Sequence, residues 1–156
     1  MKFVENIPLN TDTIANLISD QDDLYLVWPK AKYPFDHEQW REVLNPEIGH
    51  VPFLIYMNQL IIGHAALGKT LDEGVYSVSF LYLSPHCRSQ GLGTEMIFFL
   101  EKYAKEHLEA KKLSLVVRTY NPRAHKCYLK CGFQEESRED TLIKMSKILN
   151  SSFGGV

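Results

Sequence analysis

Apolar residues recur along this chain with two different periods, and the switch between them marks out its elements. "MKFVENI" alternates loosely and predicts a strand. "TDTIANLISD" carries apolar residues at helical spacing behind Thr11, the expected N-cap, and "DHEQWREVLN" repeats the pattern behind Asp36 after the turn-like "AKYPF". Two apolar runs follow, "VPFLIYMN" and "LIIGHAALGK", and Asn58-Gln59 between them predicts a hairpin. "EGVYSVSFLYLSP" alternates from Val75 to Leu83 and stops at Pro85, so it predicts a third strand of the same meander.

From there the pattern turns helical over Leu92 to Glu109. Leu92, Met96, Phe99, Leu100 and Tyr103 share one face, and Glu95, Glu101, Lys102, Lys105 and Glu106 share the other. "LSLVVRTY" is almost continuously apolar, as expected of a strand covered on both faces. "PRAHKCYLKCG" predicts a short helix with proline in its first turn and Gly132 as its stop. "FQEESRED" and "TLIKMSKIL" predict two closing strands, and "NSSFGGV" a frayed end. The order of elements is an antiparallel meander followed by strand, helix, strand and helix. That order defines a mixed α/β sheet in one domain over residues 1–150, with 151–156 a flexible tail.

At 156 residues, 45% of them hydrophobic and 23% charged, the chain is long enough for one self-sufficient core. A net charge of −2 argues against a general nucleic-acid binder. The charge is uneven, however. Residues 1–85 hold 5 basic and 11 acidic residues, and residues 86–156 hold 12 and 8, so the halves carry −6 and +4. An acidic half suits a cationic or amine substrate and a basic half an anionic cofactor, although solvated faces of opposite sign would look the same. The opening "MKFVENIPLN" has no apolar run, and no stretch approaches the length of a membrane span. Three cysteines, Cys87, Cys127 and Cys131, point to reduced thiols and a cytoplasmic protein. Cys127 and Cys131 lie four apart on a predicted helix, yet no His or Cys at ligand spacing joins them, so they read as buried thiols and no metal is expected.

The chemistry concentrates in "RSQGLGT". Arg88, Gly91 and Gly93 form R-x-x-G-x-G between a strand and a helix. Glycine lets backbone approach a ligand closely, and the first-turn N–H groups of a helix, helped by its dipole, hold an anion such as phosphate. A plain tight turn would use the same glycines. A Walker loop is excluded because Thr94 and Glu95, not Lys and Ser/Thr, follow Gly93. A dinucleotide fingerprint is excluded because Met96 occupies the third glycine position.

About thirty residues later, "NPRAHKCYLKCGF" supplies Asn121, Ala124, Tyr128, Gly132 and Phe133. Together the two stretches resemble the GNAT superfamily of acetyl-CoA-dependent N-acetyltransferases. Its hallmarks are a strand, a Q/R-x-x-G-x-G/A turn and a helix, then N-x-x-A-x-x-x-Y-x-x-x-G-F. The resemblance is specific over residues 75–135. It implies a mostly antiparallel twisted sheet splayed at the cofactor site, flanked by helices, and acetyl-CoA as cosubstrate. It implies that the backbone of Arg88, Ser89, Gln90, Gly91, Leu92, Gly93 and Thr94 cradles the pyrophosphate. Leu81 and Leu83 would pair with the pantetheine arm as an added strand would, and Asn121 would hydrogen-bond that arm. In catalysis the Leu83 N–H would serve the developing oxyanion and the Tyr128 hydroxyl would protonate the departing thiolate.

Departures from the pattern bear on the general base. Some relatives place a carboxylate where Ser77 stands, others where Val116 stands, and neither position is acidic here. Asp72, Glu73, His64 and a water relayed by Tyr76 or Ser77 remain as candidates. His86, beside the turn, reads as a phosphate neighbour or as a solvated loop histidine. Trp28, Tyr33, Phe35 and Trp40, with Asp22, Asp23, Asp36 and Glu38 nearby, read as a substrate pocket or as ordinary packing. The acceptor implied is a primary amine of a small molecule, antibiotic or peptide, and the protein is expected as monomer or homodimer. A second reading keeps acetyl-CoA binding without catalysis, as a sensor or regulatory module.

Overall fold

The computed structural model describes residues 1–149, and the tail expected at 151–156 lies outside them. Seven strands form one mostly antiparallel sheet: β1 (Lys2–Glu5), β2 (His50–Met57), β3 (Leu60–Lys69), β4 (Val75–Leu83), β5 (Lys112–Arg118), β6 (Gln134–Glu139) and β7 (Leu142–Ile148). The strand order is β1-β2-β3-β4-β5-β7-β6. Five α-helices accompany them among the described residues: α1 (Thr11–Leu17), α2 (Gln21–Val27), α3 (His37–Val43), α4 (Leu92–Leu108) and α5 (Pro122–Lys130). The chain's contacts gather in two compact units, one of residues 1–68 with 79–88 and the other of 69–78 with 89 onward.

In the first unit β2 is paired antiparallel with β1 on one side and β3 on the other, and the β2–β3 hairpin turns at Asn58 and Gln59. Both turn residues have positive φ, +50° and +69°, the left-handed geometry that matches a hairpin's twist. Helix α1 is capped by Asn10, not Thr11: the Asn10 side chain accepts from the N–H groups of Asp12 and Thr13. Thr11 is buried, and its hydroxyl meets His37 Nδ1 at 2.8 Å, tying the first turns of α1 and α3 together. Asp36 caps α3 as expected, accepting from Gln39 N–H, and that bond holds its carboxyl below the usual range. Helix α2 has no counterpart among the predicted elements. Asp20 caps it through Asp23 N–H, but only Leu24 of its seven residues is buried, so it leaves no apolar period to read. Ile14, Ile18, Leu24, Ala31, Trp40, Leu44, Ala66 and Tyr82 form one core cluster of this unit.

In the second unit α4 buries Leu92, Met96, Ile97, Leu100 and Ala104. The predicted face is therefore rotated: Phe99 and Tyr103 sit at its edge, only half-buried, and Ile97 and Ala104 replace them. Glu101 also leaves the solvated face, since Lys147 of β7 reaches it at 2.8 Å. Strand β5 pairs parallel with β4 over Val75–Ser77 against Lys112–Ser114, and antiparallel with β7 along its whole length. It was expected to be covered on both faces, but it alternates: Leu113, Leu115 and Val117 are buried while Val116 is 57% exposed. One-sided burial is what an antiparallel neighbour permits.

Candidate functional site

In the second unit, Ser89 and Gly91 both adopt positive φ, +63° and +79°, and bring the chain sharply into α4. Gly91 is the N-cap and offers no side chain to the first-turn N–H groups. A Cβ built on it would meet nothing within 4 Å, so the space beside the turn is open to a ligand. A Cβ on Gly93 would meet only the Cys127 Sγ at 3.5 Å, an ordinary contact. Uncapped donors, open space and a 17-residue helix dipole suit a phosphate.

Asn121 caps α5, its side chain accepting from Ala124 N–H at 3.4 Å. About two turns further on, Tyr128 is half-buried, its ring 6.1 Å from that of Phe133. Its carbonyl accepts from the N–H groups of Cys131 and Phe133, while Gly132 supplies the left-handed residue that ends the helix, at φ +97°. Lys147 Nζ completes this end, donating to the Cys131 carbonyl at 2.7 Å. Burial, then the neighbouring Cys127 and Cys131, raises the Tyr128 pKa, so the hydroxyl keeps its proton at neutral pH and has it to donate. Cys131 is buried and its thiol is pushed up to about 11, first by burial and then by Cys127, which makes it inert. Cys127 is only half-buried.

In the first unit, the final residues of β4 are held through side-chain contacts that the sequence did not bring forward. Phe80 has φ +53° inside a strand, a conformation that costs a bulky residue roughly 1–3 kcal/mol. Its ring is fixed by Trp28 and Trp40, each at 5.5 Å. Its carbonyl lies 2.9 Å from Nδ1 of His64, which is fully buried. Tyr82 donates its hydroxyl to Asp23 of α2 at 3.1 Å, and burial followed by that carboxylate pushes its pKa up to about 12. Arg88 donates from Nε to the Leu83 carbonyl at 2.8 Å, places Nη2 at 3.6 Å from Asp23, and lies over the Tyr82 ring. Asp23 and Tyr82 are 59 residues apart, and no local pattern could have joined them.

Leu81, Leu83 and Arg88 thus fall in the first unit, and Ser89, Gln90, Leu92, Thr94, Asn121 and Tyr128 in the second with the two glycines. Arg88 has its side chain committed to Leu83 and Asp23, and its N–H goes to the Pro85 carbonyl. Of the base candidates, Asp72 and Glu73 are exposed in the turn before β4. Burial drives the His64 pKa down to about 4, so its imidazole is neutral. The aromatic cluster resolves as packing for three of its four members. Trp40 is fully buried, with Trp28 edge-on at 5.1 Å and Phe35 stacked at 5.3 Å, while Tyr33 is exposed. Among the nearby acids, Asp36 caps α3 and Asp23 holds Tyr82 and Arg88.

A strand, a glycine turn uncapped at a long helix, and a tyrosine-bearing helix closed by Gly-Phe define an acyl-CoA-dependent transferase class. The family description "Acetyltransferase (GNAT) family" matches residues 14–133, and the chain belongs to that family. Among solved structures, spermidine N-acetyltransferase from Vibrio cholerae, in complex with CoA and spermine, is similar at 19% identity with a TM-score of 0.77, over 95% of each chain. Aminoglycoside acetyltransferase AAC(6')-Ib, with coenzyme A and kanamycin, is similar at 18% identity and a TM-score of 0.77 over 94% of each chain. The N-acetyltransferase PseH of Campylobacter jejuni, with acetyl coenzyme A, reaches 23% identity and a TM-score of 0.70, over 94% of this chain and 97% of its own. At these identities the likeness is one of fold. No helix among the described residues is long and apolar enough to cross a membrane.

Proposed function

We propose that this chain moves the acetyl group of acetyl-CoA to a primary amine by direct attack, with no acetylated enzyme on the way. The open, uncapped turn over Ser89–Thr94 is the observation that carries the reading, because free first-turn N–H groups beside open space suit a pyrophosphate. Acetyl-CoA supplies an activated thioester, and the protein's task is to orient it and manage charge. Backbone of Ser89–Thr94 holds the pyrophosphate, the Arg88 N–H being spent on the Pro85 carbonyl, while Leu81 and Leu83 pair with the pantetheine arm and Asn121 bonds to it. The Leu83 N–H faces the carbonyl oxygen as charge gathers there. The amine nitrogen bonds to the acetyl carbon as the carbon–sulfur bond breaks, the Tyr128 hydroxyl gives its proton to the leaving sulfur, and the proton shed by the new amide nitrogen restores the hydroxyl through solvent. The ammonium's proton leaves beforehand through Asp72, Glu73 or a water relayed by Tyr76 or Ser77.

Polyamines and aminoglycosides are the first acceptors to test, given the spermine and kanamycin named for similar structures. Residues 1–150 act as one acetyltransferase domain in this reading, as monomer or homodimer. Three free cysteines suit a reducing cytoplasm, and no nucleic acid is required. The deciding experiment measures CoA release from acetyl-CoA across that amine panel. Turnover above the no-amine rate with any member supports the enzyme. Tight acetyl-CoA binding with no acceptor in the panel would return the chain to a cofactor-sensing role.

A further inference from the structure

Two consecutive residues of β3 grip the same stretch of β4. Gly63 lies so close to Tyr82 that a Cβ there would sit 2.8 Å from the Tyr82 carbonyl oxygen, a backbone atom that cannot move aside. His64 then reaches the carbonyl of Phe80 with Nδ1 at 2.9 Å. A carbonyl only accepts, so Nδ1 carries the proton and the ring is the Nδ1–H tautomer. Just before them, the Ile62 carbonyl accepts from Ser84 N–H at 2.7 Å. The stretch from Phe80 to Ser84 is therefore held at alternate positions by Ile62, Gly63 and His64. The residue pinned by the imidazole, Phe80, is also the one with φ +53°. Phenylalanine does not adopt that conformation unaided, and neighbouring groups must over-determine it. A neutral, fully buried histidine that donates to this carbonyl is such a group.

We propose that His64 is a positioning residue for acetyl transfer: its Nδ1–H holds the Phe80 carbonyl, and with it the left-handed backbone that sets the direction of the following Leu81 and Leu83 peptide groups. The catalytic half of this assignment rests on the acetyltransferase reading above, and the structural half does not. A residue with positive φ inside a strand interrupts the regular alternation in which backbone N–H and C=O groups point to one edge and then the other. A strand that relaxed at Phe80 would therefore turn the Leu81 and Leu83 groups away from their present directions.

Three variants separate the hydrogen bond from mere packing. His64→Phe keeps a ring and removes the donor. His64→Asn loses volume but places an amide N–H the same number of bonds from the backbone as Nδ1. His64→Gln places it one bond further, at the reach of Nε2. If His64 only fills space, Phe should serve best. The proposal predicts the opposite order, with Asn nearest wild type. Hydrogen exchange on the folded proteins should show backbone amides of residues 80–83 exchanging faster in His64→Phe and His64→Gln than in His64→Asn. Acetyl-transfer assays should show kcat down roughly tenfold or more in His64→Phe, with CoA affinity little changed and much of the rate recovered in His64→Asn. Nitrogen shifts of the wild-type imidazole should show the proton on Nδ1. Equal exchange at residues 80–83 in wild type and His64→Phe, or His64→Asn impaired as badly as His64→Phe, overturns the proposal. If wild type acetylates no amine, it is the acetyltransferase reading that fails, and exchange together with the ring tautomer still decides whether His64 pins β4.

Discussion

Arg88 opens the glycine turn, yet its guanidinium points back, donating from Nε to the carbonyl of Leu83 at 2.8 Å and facing Asp23 at 3.6 Å. The arginine of the R-x-x-G-x-G signature therefore braces the strand that precedes the turn. Arg88→Ala leaves the Leu83 carbonyl and a mostly buried Asp23 carboxylate short of a partner, which should cost about 1–3 kcal/mol. Arg88→Lys keeps a charge near Asp23 but cannot also reach Leu83, and should recover only part of that loss. Urea denaturation of the three proteins checks the order. Equal midpoints for wild type and Arg88→Ala would show that the brace contributes nothing.

The glycines of the turn should answer differently to substitution. Gly91 has φ +79° in open space, so alanine there suffers backbone strain of about 1–2 kcal/mol and no clash. Gly93 has ordinary φ and a 3.5 Å neighbour, so Gly93→Ala should fold with little loss. A branched side chain at Gly91 fills that open space, and one at Gly93 presses on Cys127 and displaces the turn. Gly91→Val and Gly93→Val should keep helical circular dichroism while CoA titration shows binding abolished, whereas wild type at a hundredfold above Kd gains about 2.7 kcal/mol. Wild-type CoA affinity in both valine variants would remove the turn from the cofactor site.

How far the sequence reaches is visible in these same residues. The hairpin at Asn58-Gln59, the span of β4, the start of α4 and the stop at Gly132 were all legible, because each is written in a local period or a turn residue. Helix α2 was not, since a single buried leucine makes no period. Val116 stands exposed in an apolar run because burial depends on which strands pair on either side, and composition does not record that. The glycine turn and the tyrosine helix belong to short contiguous motifs and could be found. The brace between Asp23, Tyr82 and Arg88 joins segments far apart in the chain. Phe80 gives no warning at all, because nothing about a phenylalanine announces a positive φ.

Tyr128→Phe keeps the ring beside Phe133 and removes only the hydroxyl, so folding and CoA affinity should survive while turnover falls. A thiolate of pKa near 8.5 leaves tolerably well without help, and the raised pKa of Tyr128 makes full proton transfer to it uphill. The loss should therefore sit near the low end of the range of about 10²–10⁴ for general acids, and appear in kcat. Steady-state kinetics with the best acceptor decides, provided chemistry limits the wild type. An unchanged kcat under that condition would make Tyr128 a packing residue.

Acid should test the neutral state of His64. Its pKa lies near 4 in the fold, against 6.5 for an unperturbed histidine, with burial the larger cause and the Phe80 hydrogen bond opposing it. Below pH 6.5 the unfolded chain takes up a proton there that the folded chain refuses until about pH 4. The sign follows directly: stability is fully present above pH 6.5 and falls as pH drops through the window toward 4. Between pH 6.5 and 5 this single site should remove about 2 kcal/mol, at 1.36 kcal/mol per unit. Burial also lowers the pKa of His50, so the comparison must be with His64→Asn, which retains every other ionisable group and lacks only this imidazole. Chemical denaturation of both proteins at pH 7 and pH 5 isolates the term. Wild type should lose about 2 kcal/mol more than the variant, and equal losses would mean that His64 accepts a proton in the fold as readily as in the unfolded chain.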